Sequence, residues 1–192
     1  NLPLSSAEVS RNLKLLRLNG QTKDALAKTE NPGNWEYDIV LKGYKMNMPD
    51  ICAAIALGQL ESYDLINSER KRVYDRYALN FKACQHLSII PNHLGNRISS
   101  HHLMMISLNG NLKSFRNQII SACANKGVST NVHFKPLTLM SAFQNEEFRG
   151  SLAHSIDLFE REISLPIYPQ LSNEQVDYIS KTIMDAIKKV AH

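Results

Sequence analysis

The chain has 192 residues, 43% of them apolar and 21% charged, a balance that excludes a disordered tail and a collagen-like repeat. Twenty-two Lys and Arg against eighteen Asp and Glu give a net charge of +4, too weak to point to nucleic acid. Three scattered cysteines, Cys52, Cys84 and Cys123, form neither a disulfide framework nor a zinc cluster, and free thiols suit a reducing cytosol. No apolar run reaches the ~20 residues that span a bilayer, and Asn1-Leu2-Pro3-Leu4 does not read as a signal peptide. The expectation is a cytoplasmic protein with no membrane and no nucleic-acid partner.

Ser5 and Glu8 form a capping box that opens a helix over 6–18, with Val9, Leu13 and Leu16 at helical spacing and Asn19-Gly20 as its stop. Residues 20–35 read as a loop, and Trp35 to Leu41 as a short strand. Pro49 suits the first position of a helix, after Asn47 or Met48 as cap. From there the apolar spacing predicts one long helix, kinked near Gly58 and ending before Leu87. Residues 91–100 are a loop, and His102 to Leu108 a strand. A helix carrying Phe115, Ile119, Ile120 and Cys123 closes at Gly127. Val128 to Phe134 alternates and predicts a second strand. Short helices fill 137–161, and Glu162 to Leu165 is a third strand. A terminal helix is capped by Ser172-Asn173-Glu174-Gln175. Few strands among several helices indicate the α+β class, with a small sheet covered by helices on one face.

The histidines make no metal-ligand spacing, and His101 and His102, adjacent on a strand, point to opposite faces. No nucleophile elbow, Walker loop or G-x-G-x-x-G occurs. The Lys and Arg of 67–82 are interleaved with acids, as on a solvated helix face. The informative stretch runs from Gly43-Tyr44-Lys45-Met46-Asn47-Met48-Pro49-Asp50-Ile51 to Gly58-Gln59-Leu60.

That stretch resembles the "GYKYNMTDIQAALGLxQL" signature of the DegT/DnrJ/EryC1/StrS family of pyridoxal-phosphate (PLP) sugar aminotransferases. Four further segments agree in order. Leu15 to Gly20 is similar to "LRLHG", and Ser100-His101-His102-Leu103 to "xYHLF". Lys126 to Leu137 is similar to "xGIGTxVHYxPLH", and Ile163 to Pro169 to "LSLPLHP". Thr138 and Tyr168 stand near positions where many members carry histidine.

The resemblance implies the C-terminal small domain of a fold-type I PLP transferase: a small antiparallel sheet, helices on one face and one long linking helix. Residues 1–42 would be the end of the large-domain region with a linker loop, and 43–192 the small domain. The N-terminal PLP-binding domain, with its Schiff-base lysine, would be absent. The implied activity is transfer of an amino group from glutamate to a nucleotide-linked keto sugar, for cell-surface polysaccharide or antibiotic sugars. The intact enzyme would be a homodimer holding PLP. This chain alone would bind none, carry no catalytic residue and no metal, and be inactive. Tyr44, Lys45 and Asn47 would bind the cofactor phosphate in the partner's site; otherwise Tyr44 and Asn47 only shape a turn and cap the helix. His133, Lys135 and His102 would bind substrate; otherwise His133 faces solvent and His102 packs. Without the partner, 43–47 is expected to be loosely held. The alternative from another class is a non-catalytic interaction module, or a split subunit completing a partner's site.

Overall fold

The computed structural model describes residues 7–22, 36–143, 147 and 150–191. Ser5, the expected cap, Trp35, and most of the expected 20–35 loop lie outside the described residues. The chain forms two compact units, Asn1–Glu61 and Ser62–His192.

In the first unit, α1 spans Ala7–Leu16 and α2 spans Asp50–Glu61. After α1 the chain turns through Asn19 and Gly20, both at positive φ (56° and 74°), as a helix stop requires. The Gly20 amide donates back to the Leu15 carbonyl at 2.8 Å. The expected strand before Leu41 reduces to one antiparallel bridge, Gln21 to Ile39. A second bridge joins Leu18 to Lys45. Here the backbones meet so closely that a Cβ on Gly43 would lie 2.4 Å from the Gly20 nitrogen, and one on Gly20 would lie 1.8 Å from the Leu41 carbonyl oxygen. Both glycines are required by that approach. Among the described residues of this unit only Gly20 is buried.

The expected long helix is two. α2 ends at Glu61, and α3 spans Tyr63–Phe81. The interruption is not at Gly58, which sits inside α2 in open space. It falls at Ser62, whose φ and ψ of −94° and 1° leave the helix, in keeping with the preference of serine for helix ends.

The second unit is α+β. Strands β1 (Leu87–Ile89), β4 (Met104–Leu108) and β5 (Glu162–Leu165) form an antiparallel sheet in the order β1-β4-β5, with Leu87 opposite Leu108 and Ile106 opposite Ile163. Between them, β2 (His93–Leu94) and β3 (Arg97–Ile98) make a small hairpin. A 3-10 turn (Gly110–Phe115) leads into α4 (Arg116–Ala124); α5 (Ala153–Arg161) precedes β5, and α6 (Asn173–Val190) ends the chain. Ser172 caps α6: its hydroxyl accepts from the Gln175 amide, while the Gln175 side chain accepts from the Ser172 amide. Such a cap contributes about 1 kcal/mol.

The core lies where α3, α4 and α6 meet the sheet. Val73 and Tyr77 of α3, Ile119 of α4, Ile106 and Ile163 of the sheet, and Val176, Ile183 and Ile187 of α6 are fully buried. Each such aliphatic side chain stabilises the fold by about 1.5–3 kcal/mol relative to exposure. The Tyr77 hydroxyl donates to the Pro166 carbonyl at 2.9 Å, and burial pushes its pKa up. Outside the core, Arg76 of α3 grips Asp177 of α6 through Nε at 2.7 Å. With Asn80 donating to the same carboxylate, Asp177 is held down to about 2, chiefly by Arg76.

Two expected strands do not form as read. The segment 128–134 is irregular, touching β5 only at the Asn131–Ser164 bridge. Beyond Asn131 the His133 amide goes to the Glu162 side chain, so the ladder stops. The sheet's third strand is β1 instead, drawn from the short apolar run after α3. His101 and His102 precede β4 rather than belonging to it.

Candidate functional site

The sheet's β5 edge organises a cleft in the second unit. The Asn131 amide donates to the Ser164 carbonyl at 3.0 Å and the Ser164 amide to the Asn131 carbonyl at 2.8 Å. These two bonds pin the segment that carries His133 and Lys135. The cleft, about 700 Å³, is lined on one side by His133, Phe134 and Lys135, and on the other by Leu152, Ser155, Leu158 and Phe159. Thr138, Met140 and Glu162 also line it. The size is that of an ordinary small-molecule site.

Its polar floor is a chain of three residues. Glu162 is only 1% exposed. Its Oε2 accepts the His133 amide at 2.9 Å, and its Oε1 accepts the Ser164 hydroxyl. The Ser164 oxygen in turn lies 2.8 Å from His133 Nδ1. The Thr138 hydroxyl is buried with no partner among the described residues.

The opposite wall is held by charge. Lys113 reaches Glu160 at 2.8 Å and Asp157 at 3.2 Å, and Asp157 also pairs with Arg161. Asp157 is held below the usual carboxylate range, first by Arg161 and then by Lys113. The Arg116 guanidinium lies 4.9 Å over the Phe159 ring and donates to the Phe159 carbonyl at 3.1 Å. These contacts fix α5, and so the apolar side of the cleft.

The residues expected at a cofactor phosphate lie in the first unit. The Tyr44 amide donates to the Leu16 carbonyl at 2.6 Å and the Met46 amide to that of Arg17 at 2.8 Å. The Asn19 amide donates to the Tyr44 carbonyl at 2.9 Å. The backbone of 44–46 is therefore tied rather than loose, because the two glycines let it approach the end of α1. The side chains of Tyr44, Lys45 and Asn47 all remain exposed. The first helical bond of α2 runs from the Ala53 amide to the Pro49 carbonyl, so Pro49 takes the cap position and Asn47 lies outside it. Its amide is left for other use. This donor set (a phenol, an ammonium and an amide before a helix N-terminus) fits the phosphate end of PLP. Exposed as it is, it offers no enclosure for the ring.

Of the substrate residues expected from sequence, His133 and Lys135 share the cleft and His102 does not line it. His102 is exposed. Its neighbour His101 is buried at φ 51°, edge-on to Tyr74 at 5.3 Å, with its pKa lowered by burial and then by Lys71. Glu162 and Ser164 were not singled out by sequence. The available signal was a polar pair two residues apart on a strand whose alternate residues, Ile163 and Leu165, face the core. Among the described residues no His, Cys, Asp and Glu group is placed to hold a metal ion, and no helix is long and apolar enough to cross a membrane.

The fold and motif spacing are those of a known class. The model of the DegT/DnrJ/EryC1/StrS aminotransferase family matches residues 4–184. The chain belongs to this family. It is 32% identical over 187 residues to the uncharacterized protein MJ1066 of Methanocaldococcus jannaschii, covering 95% of this chain and 47% of that protein. It is 32% identical over 147 residues to the GDP-perosamine synthase of Escherichia coli O157:H7, covering 77% of this chain and 38% of the synthase. Among solved structures, the candidate sugar aminotransferase Spr1654 from Streptococcus pneumoniae in its PMP form aligns at a TM-score of 0.84 and 39% identity, over 99% of this chain and 48% of that one. The chain thus spans about half the length, or less, of the relatives it matches.

Proposed function

We propose that this chain is the C-terminal portion of a PLP-dependent aminotransferase that moves an amino group from glutamate to a nucleotide-linked keto sugar. The observation that carries this is the near-complete alignment with Spr1654, a protein solved in both PMP and PLP forms. The named activity of the GDP-perosamine synthase relative supports a nucleotide-linked substrate. PLP, when bound, supplies the electron sink for amino transfer. The residues of this chain bind, orient and exclude water. Tyr44, Lys45 and Asn47 donate to the cofactor phosphate of a partner protomer. In the cleft, the Lys135 ammonium pairs with the diphosphate, and His133 and Thr138 hydrogen-bond the sugar. Leu158 and Phe159 keep bulk water from it.

On this reading, residues 1–42 end the large-domain region and 43–192 form the small domain. The Schiff-base lysine comes from the part of the enzyme that precedes it, and this chain alone is inactive. The homodimer buries α2, whose Ile51, Ile55, Leu57 and Leu60 are between 58% and 77% exposed here. The enzyme works in the cytoplasm and makes amino sugars for polysaccharides or related products.

The test is an assay of the full polypeptide with PLP, glutamate and a nucleotide-linked keto sugar. Formation of 2-oxoglutarate in step with aminated sugar is expected. Release of 2-oxoglutarate with no aminated sugar, or no turnover at all, contradicts the reading.

A further inference from the structure

We infer that Glu162 and Ser164 are positioning residues that fix the ring of His133 in its Nδ1–H form, so that Nε2 faces the ligand as a hydrogen-bond acceptor and recognises a sugar hydroxyl. The proposal deepens the nucleotide-sugar reading above and rests on it for the ligand.

The argument follows the donors. Glu162 is buried, and its two oxygens are already assigned: Oε2 to the His133 amide and Oε1 to the Ser164 hydroxyl. A serine hydroxyl has one hydrogen to give. Ser164 gives it to Glu162 and meets His133 Nδ1, at 2.8 Å, as an acceptor. Nδ1 must then carry the hydrogen. In the neutral ring this leaves Nε2 with a lone pair. Nε2 has no partner among the described residues, and His133 lines the cleft. A lone pair there accepts from a hydroxyl or an N–H and is repelled by phosphate oxygens. Lys135, on the same wall, is the cation suited to phosphate. The cleft therefore divides its labour: Lys135 for the anionic end, His133 for a hydroxyl. The same Glu162 also fixes the His133 backbone, so ring and main chain are oriented from one buried anchor.

Replacing Glu162 by Gln gives a specific reversal. The His133 amide still needs an acceptor, so the Gln carbonyl turns to it and the Gln NH2 faces Ser164. Ser164 then accepts from Gln and donates to Nδ1, and the hydrogen of the ring moves to Nε2. Ser164→Ala removes the acceptor altogether and lets the ring choose its form without it.

The experiment is nitrogen NMR on full chain labelled at histidine, with His133 assigned by its absence from His133→Ala. Wild type should show a pyrrole-like Nδ1 and a pyridine-like Nε2. Glu162→Gln should exchange the two, and Ser164→Ala should lose the wild-type preference. A wild-type ring hydrogen on Nε2 overturns the proposal, as does a pattern that neither substitution moves. If Glu162→Gln fails to fold, wild type and Ser164→Ala still decide it. The ligand half is read by titrating GDP-mannose and GDP. His133→Ala should weaken GDP-mannose about tenfold, the loss of one hydrogen bond, and leave GDP unchanged. Equal weakening of both overturns hydroxyl recognition. A wild-type chain that binds neither probe contradicts the nucleotide-sugar reading and the ligand half with it, while the ring's hydrogen is still read without ligand.

Discussion

The two units are built on opposite principles. Ser62–His192 closes around buried aliphatic side chains from three helices and a sheet. Asn1–Glu61 is organised by main-chain bonds and two close-packed glycines, and none of its described side chains is buried. α2 is the clearest case, an apolar helix with no buried residue. A helix that is hydrophobic all round is normally buried. On the proposed reading, the motif residues around 43–60 serve contacts that complete only in an assembly, whereas those of the second unit serve its own core and cleft.

The sharpest way to break that contrast is a pair of truncations. Ile183→Ala, in the fully buried seam of α6, should destabilise the second unit by about 2–5 kcal/mol in denaturant unfolding. Ile55→Ala, on exposed α2, should change folding stability by no more than about 0.5 kcal/mol while weakening self-association in sedimentation. Comparable losses of folding stability would erase the distinction.

A smaller effect is expected at the glycines. Gly43→Ala puts a Cβ within 2.4 Å of backbone. It should cost about 1–3 kcal/mol and unlock the Tyr44 and Met46 amides in hydrogen exchange. The amides of α6 should stay as protected as before.

The pH dependence belongs to the second unit. Asp177 is depressed from its ordinary value of 3.8 to about 2 by Arg76 and then Asn80. A depressed carboxylate adds stability above its unfolded pKa and loses it as pH falls through the folded one. Acid titration should therefore show stability falling between about pH 4 and about pH 2, and Asp177→Asn should flatten that window. Because the pair is partly exposed, the amplitude is small. An unchanged acid limb in the variant would remove Asp177 from the account.

The cysteines sharpen the contrast with least effect on the protein. Cys52 is exposed on α2, and Cys123 is buried, its thiol pushed up to about 11 by burial. A thiol reagent at neutral pH should label Cys52 rapidly and Cys123 only on unfolding. Slower labelling of Cys52 as protein concentration rises would mark α2 as the associating face.

Much of this was legible from residues. The Ser172 box, the Gly127 stop and the Glu162–Leu165 strand stand where their local chemistry puts them. His133 and Lys135 were found through motif resemblance, and they share a cleft. The failures have local causes. Alternation in 128–134 predicts a strand, yet a buried carboxylate took the amide that would have continued the ladder. The three-residue β1 is too short to carry a periodic signal. Glu162 and Ser164 escaped because a buried polar pair inside an apolar strand looks ordinary until its partner across the gap is known.

The central claim is that the cleft beside β5 receives the sugar nucleotide. Its most direct test is an amide NMR titration of the full chain with GDP-mannose. The account predicts saturable shifts at His133, Lys135, Thr138 and Ser155, lost in Lys135→Ala. Shifts confined instead to the separate hollow lined by Gly127, Tyr168 and Tyr178 would contradict it.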